Sequence, residues 1–142
     1  MRRALLPSFA ILLLTSCYMQ GDHEEMSSAV QEARAEAQKH DQLCRAATAP
    51  ESLSNELARH EDVMDDLFAR MDGAMGDMPA KHSSGGMKQD VANMRAAMAI
   101  HHDRLLEAGS VSAAHAECAS YGAEMTGLCA TAQDRVDGMD CM

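Results

Sequence analysis

Tryptophan is absent, and Phe9, Phe68, Tyr18 and Tyr121 are the only aromatic residues among 142. A β-sandwich or barrel, which relies on aromatic and β-branched side chains, is therefore disfavoured. Basic residues are scarce as well: 12 Lys and Arg stand against 22 Asp and Glu, a formal charge of −10. This balance argues against nucleic acid and anionic lipid surfaces as partners, because both are met by clusters of Lys and Arg. No apolar run is long enough to cross a bilayer. The length leaves room for one domain. Nothing in the spacing supplies a Gly-rich phosphate loop, a nucleophile beside a base or a catalytic carboxylate pair, so the chain does not read as an enzyme. What is abundant is Ala, Met, Glu, Gln and Arg, all helix formers, with 13 Met in all.

Arg2 and Arg3 precede a mostly apolar run from Ala4 through Leu14 and then small residues, the three-part layout of a secretory signal. Leu14-Thr15-Ser16-Cys17 follows the pattern of an aliphatic residue, two small ones and Cys. In residues 1–17 the chain thus resembles a bacterial lipoprotein. The resemblance implies that residues 1–16 are removed and that Cys17 becomes the acylated N-terminus, held in the lipid bilayer. It also implies an outer-membrane anchor within the cell envelope, since Tyr18 follows the Cys where Asp would favour retention in the inner membrane. Removing Arg2 and Arg3 leaves 12 − 2 = 10 basic residues against 22 acidic ones, a charge of −12. The tether, residues 17–21, is short.

The remainder, residues 22–142, reads as four amphipathic helices. Apolar positions in steps of three and four run through Met26, Val30, Ala33, Ala37, His40, Cys44 and Ala47. A second seam runs through Leu53, Leu57, His60, Met64, Leu67, Met71 and Met75, a third through Met87, Val91, Met94, Met98, His101 and Leu105. The fourth reads Val111, His115, Cys118, Gly122, Met125, Cys129, Ala132 and Val136. Pro50 and Gly109 mark tight turns, and 79–86, PAKHSSGG, is a loop by composition. Helices over about 22–48, 51–78, 87–108 and 110–137 joined this way pack as antiparallel neighbours. The fold class is all-α, an up-down-up-down four-helix bundle, with Gly122 and Gly127 inviting a kink in the fourth helix.

Short turns fix register, so residues equally distant from them share a slice of the bundle. This places His40, His60, His101 and Cys118 in one layer, with Cys44, Leu57, Leu105 and His115 above it and Ala37, Met64, Met98 and Gly122 below. Imidazole and thiolate are metal donors, and Met64 and Met98 would add soft thioethers, which favours copper, with zinc the other candidate. Glu36 and Glu56 each precede a seam His by four residues and can reach its outer nitrogen. The Glu-x-x-His of di-iron bundles is missing, as is the Cys-x-x-Cys-His of covalent haem. Non-covalent haem, which takes Met or His axial ligands, remains compatible.

In a cell envelope cysteines pair. Apart from Cys17 the candidates are Cys44, Cys118, Cys129 and Cys141. Cys118 and Cys129 lie about 16 Å apart on one helix, and Cys44 and Cys129 about 21 Å apart in register, both too far to bridge. Cys44 with Cys118 survives, and Cys129 with Cys141 would need the tail to fold back. If Cys118 is bridged, His115 or Met98 would have to complete the metal set. The sequence therefore points to a lipid-anchored bundle that binds a soft or borderline ion. The alternative is a structural or interaction lipoprotein without metal, whose protein partner the sequence does not name.

Overall fold

The computed structural model of the protein describes residues 12–78 and 85–139, with side chains from Asp22 onward. The first eleven residues, the Cys17 side chain, residues 79–84 and Cys141 lie outside the described residues. Four helices follow one another: α1 (Leu12–Ala46), α2 (Pro50–Asp77), α3 (Gly85–Leu106) and α4 (Val111–Asp137). They form an antiparallel four-helix bundle, with no strand among the described residues. None of these helices is long and apolar enough to cross a membrane.

The turns are written locally. Pro50 occupies the first turn of α2 behind an extended Ala49, where its missing N–H costs nothing. Ser110 caps α4, its hydroxyl accepting from the Ala113 backbone N–H at 3.1 Å. Two boundaries differ from expectation. α1 runs back to Leu12, because the leucines at 12–14 are themselves good helix formers. α3 begins at Gly85, so Gly85 and Gly86 are helical instead of loop, and a Cβ at position 86 would collide with the Arg135 guanidinium.

The core is in two parts. A large, Met-rich cluster holds Met26, Met64, Met71, Met87, Met94 and Met125 along with Phe68 and Tyr121. A smaller cluster under the turns holds Cys44, Leu53, Leu57, Leu105, Ala114 and Cys118. The buried imidazoles of His40, His60 and His101 fall between them along the chain, each flanked by one residue from either cluster. Thus a polar layer separates the two apolar clusters.

α4 is a single continuous helix through Gly122 and Gly127. Gly122 serves close packing: a Cβ there would stand 3.1 Å from Asp41 Cβ and 3.7 Å from the Ala37 carbonyl oxygen. α1 and α4 consequently pack closely, whereas α2 and α3 touch least of the neighbouring pairs. On that less closely packed side Glu61 Oε1 meets His102 Nδ1, and Asp72 pairs with Arg95 at 2.6 Å. The burial of α3 and α4 also departs from the simple seam. Ala97, not Met98, is buried in α3, and Ala114 and Tyr121 are buried in α4 while His115 is only partly so.

Candidate metal centre

His40, His60 and His101 are 0%, 0% and 1% exposed, and their rings are in contact. The His40 and His60 rings stack with centroids 4.0 Å apart, and the His101 ring stacks on Tyr121 at 4.1 Å. The two stacks meet edge to face. The expected convergence of three imidazoles from three helices is therefore present, and Tyr121 fills the remaining quarter from α4.

Each imidazole is held from behind by a carboxylate. His40 Nδ1 donates to Glu56 Oε1 at 2.9 Å, His60 Nδ1 to Glu36 Oε1 at 3.0 Å and His101 Nδ1 to Glu117 Oε1 at 3.3 Å. Glu36 and Glu56 do act on the seam histidines, but crosswise: each reaches the imidazole of the opposite helix. Arg59 joins the two carboxylates, its Nη2 donating at 2.6 Å to both Glu36 Oε1 and Glu56 Oε1. Burial opposes ionisation of Glu36 and Glu56, but the hydrogen bonds from Arg59 and the imidazoles outweigh it and hold both carboxyls below their ordinary range.

These bonds fix the tautomers. An ionised carboxylate only accepts, so the proton of a neutral ring sits on Nδ1 and Nε2 carries the lone pair. His60 Nε2 accepts from the Tyr121 hydroxyl at 2.9 Å. His40 Nε2 and His101 Nε2, by contrast, face each other at 3.0 Å. Burial, reinforced by the neighbouring imidazoles, holds His101 down at about 3. Burial and His40 likewise lower His60 to about 4, and burial also lowers His40. Protonation, the usual way to reconcile two such nitrogens, is thus disfavoured.

Sulfur lies against the same pair. Cys44 and Cys118 form a disulfide, with Cα atoms 6.3 Å apart, joining α1 to α4. One ligand atom each from His40, His101 and Cys118 lies within 4.8 Å of the others, and all three residues are buried. Cys44 Sγ is 3.9 Å from His40 Nε2.

The remaining expected ligands lie elsewhere. His60 adjoins the group with its Nε2 engaged by Tyr121. His115 Nε2 donates to the Ala47 carbonyl at 2.9 Å, closing the end of α1, because the fourth helix is rotated to bury Ala114 instead. It therefore does not replace a bridged Cys118. Met64 is buried in the large apolar cluster, and Met98 packs partly buried against it. Cys129 is a free buried thiol 3.6 Å from Met94 Sδ, and Cys141 lies outside the described residues.

Arg59, Glu117 and Tyr121 were not legible from the seams, yet a signal for two of them exists. His40 and His101 are 61 positions apart, as are His60 and Tyr121. At the same offset fall Met26 and Met87, Val30 and Val91, Ala47 and Ala108, Glu56 and Glu117, and Met64 and Met125. The two hairpins repeat one pattern, in which a His is followed by its Glu after 16 residues in both halves. The same offset sets Gly122 against Glu61 and His102 against Asp41, which explains why one side of the bundle is closed and the other open. Comparison of the chain with known families, with characterised proteins and with solved structures gives no match in any of the three.

Proposed function

We propose that the protein is a lipid-anchored cell-envelope bundle that binds one soft or borderline metal ion, copper foremost and zinc next, through His40, His101 and cysteine sulfur. The observation that carries this reading is the 3.0 Å approach of His40 Nε2 to His101 Nε2 with both Nδ1 atoms committed to carboxylates. Two inward lone pairs at that distance repel unless a cation lies between them. Two nitrogens bound to one tetrahedral ion stand about 3.3 Å apart, close to the separation here. Carboxylates that orient ligating imidazoles from behind are the usual support of such sites. No carboxylate oxygen belongs to the group of converging donors, which favours a soft ion over Mg or Ca.

The alternative is an interaction lipoprotein whose histidines are a polar core network and hold no metal. It is favoured by the disulfide, which leaves Cys118 without a thiolate to offer. The two readings separate on titration of the full-length protein in detergent, reduced and kept anaerobic, with Cu(I), Zn(II) or Ni(II). One equivalent should survive desalting, and His40→Ala and His101→Ala should each abolish it while retaining helical circular dichroism. No retained metal from any of the three ions leaves the interaction reading standing.

The anchor rests on the sequence of residues 14–17, with residues 1–16 removed, and the outer-membrane position on Tyr18; no enzymatic role is proposed. The turns at Pro50 and Gly109, and with them the metal centre, would then lie at the end of the bundle away from the lipid.

A further inference from the structure

Resting on the metal reading above, we infer that the Cys44–Cys118 disulfide is a redox gate: its reduction completes a Cys2His2 site with His40 and His101, and its re-formation releases the ion. Three donors from three helices, on His40, His101 and Cys118, lie within 4.8 Å of one another, and Cys44 is bonded to the third. His40 and Cys44 lie one turn apart on α1, His101 comes from α3, and Cys118 from α4. Cys44 Sγ already lies 3.9 Å from His40 Nε2, and Cys118 is in ligand range of both imidazoles. In the disulfide the two sulfurs are neutral and bonded to each other, which leaves the two nitrogens as the donors. Reduction supplies two thiols, which become metal-binding thiolates on losing their protons.

The reductant is a dithiol. It attacks one sulfur to form a mixed disulfide, and its second thiol then displaces the protein thiol. The products are the oxidised, cyclic dithiol and two protein thiols, Cys44 and Cys118. Binding a divalent or monovalent ion then releases both thiol protons. Re-formation is the reverse exchange with a disulfide oxidant: one protein thiolate attacks it, the second displaces the mixed disulfide, and the oxidant leaves as the dithiol, having taken two electrons and two protons as the ion departs. Two thiolates on a tetrahedral ion stand about 3.8 Å apart, a displacement that rotation about the side-chain bonds of residues whose Cα atoms are 6.3 Å apart can supply.

The sulfurs lie beneath an apolar, clefted end of the bundle. Leu53, Leu57, Leu105 and Ala114 pack with Cys44 and Cys118, and the same four side chains line a cleft of about 210 Å³ between the two turns. Neither cysteine is exposed, so exchange proceeds through opening of this apolar end. The rest of the bundle, built on the separate Met-rich cluster, need not open with it.

The test compares the oxidised and reduced full-length protein, with the reductant removed, by competition for Zn(II) and Cu(I) against a chromophoric chelator. The reduced form should bind roughly 100-fold more tightly, and re-oxidation should release the ion. Co(II) added to the reduced protein should show thiolate-to-metal absorption in the near ultraviolet, absent from the oxidised protein. Cys44→Ser and Cys118→Ser should each weaken binding by the reduced protein at least tenfold, whereas Cys129→Ser should not. Equal affinity in the two states, or Co(II) bound without thiolate absorption, overturns the gate and leaves a nitrogen-based site in place. Absence of binding in both states overturns the gate together with the metal reading.

Discussion

His40 Nε2 and His101 Nε2 face each other at 3.0 Å across the bundle, each ring turned inward by a glutamate on the other helix of its own hairpin. The hairpins make the same move twice, His40 with Glu56 and His101 with Glu117, so the site is assembled where two copies of one pattern meet. The copies differ where it matters chemically. His60 in the first is matched by Tyr121 in the second, and the hydroxyl of one satisfies the imidazole of the other.

Removing that hydroxyl in Tyr121→Phe leaves His60 Nε2 buried without a donor. The cost should be about 1–2 kcal/mol of stability, read from urea unfolding of the metal-free protein. Metal affinity of the reduced protein should change little, because His60 stands beside the ligand set and outside it. A large loss of affinity would assign His60 to the ion.

Arg59 is the cation between Glu36 and Glu56. Arg59→Leu should destabilise the fold by about 2 kcal/mol, since it leaves two largely buried carboxylates facing each other while Arg59 itself is partly in water. Equilibrium unfolding at neutral pH checks this. Lowering the pH toward the range where a carboxyl protonates should narrow the difference from the natural protein.

Acid should destabilise the metal-free protein through its imidazoles. His60 and His101 are lowered in the fold to about 4 and about 3, from an ordinary value of 6.5. Above pH 6.5 neither folded nor unfolded chain binds the proton, and the stabilisation is fully present. Below it the unfolded chain binds protons first, so stability falls until the folded values are reached. The slope is up to about 1.4 kcal/mol per pH unit for each imidazole. Urea midpoints at pH 7.5, 6 and 5 should therefore decline, and a flat series would contradict the burial of these rings as neutral species.

The disulfide closes a sequence separation of 74. In the chain-entropy account its loss in Cys44→Ser costs about 4 kcal/mol. Thermal unfolding of oxidised samples measures it, and the reduced natural protein should melt close to the reduced variant.

Gly122→Leu should cost about 2 kcal/mol or more, because α1 backbone and Asp41 stand where the new side chain would go. The same residue at Gly127, where nothing lies within 4 Å, should be tolerated or stabilising. Circular dichroism melts of the two variants separate packing from helix propensity.

The proposed anchor has its own test. Cys17→Ala should move the protein from the membrane to the soluble fraction, and persistence in the membrane would remove the lipoprotein assignment.

Apolar spacing, Pro50 and Gly109 were enough to give the helices, their antiparallel order and the layer that collects His40, His60 and His101, because short turns fix register to within one residue's rise. They were also enough to favour Cys44 with Cys118, since Cys44–Cys129 and Cys118–Cys129 exceed disulfide reach. Which edge of each ring faces inward was not legible, nor which glutamate holds it. Those depend on rotation of each helix about its own axis by a fraction of a turn, and such a rotation buries Ala114 and Tyr121 in place of His115 and leaves Met98 at the rim. Helix rotation is decided by packing against neighbours: by the close approach that Gly122 allows α1 and α4, and by the sparser contact of α2 with α3, where Glu61 meets His102.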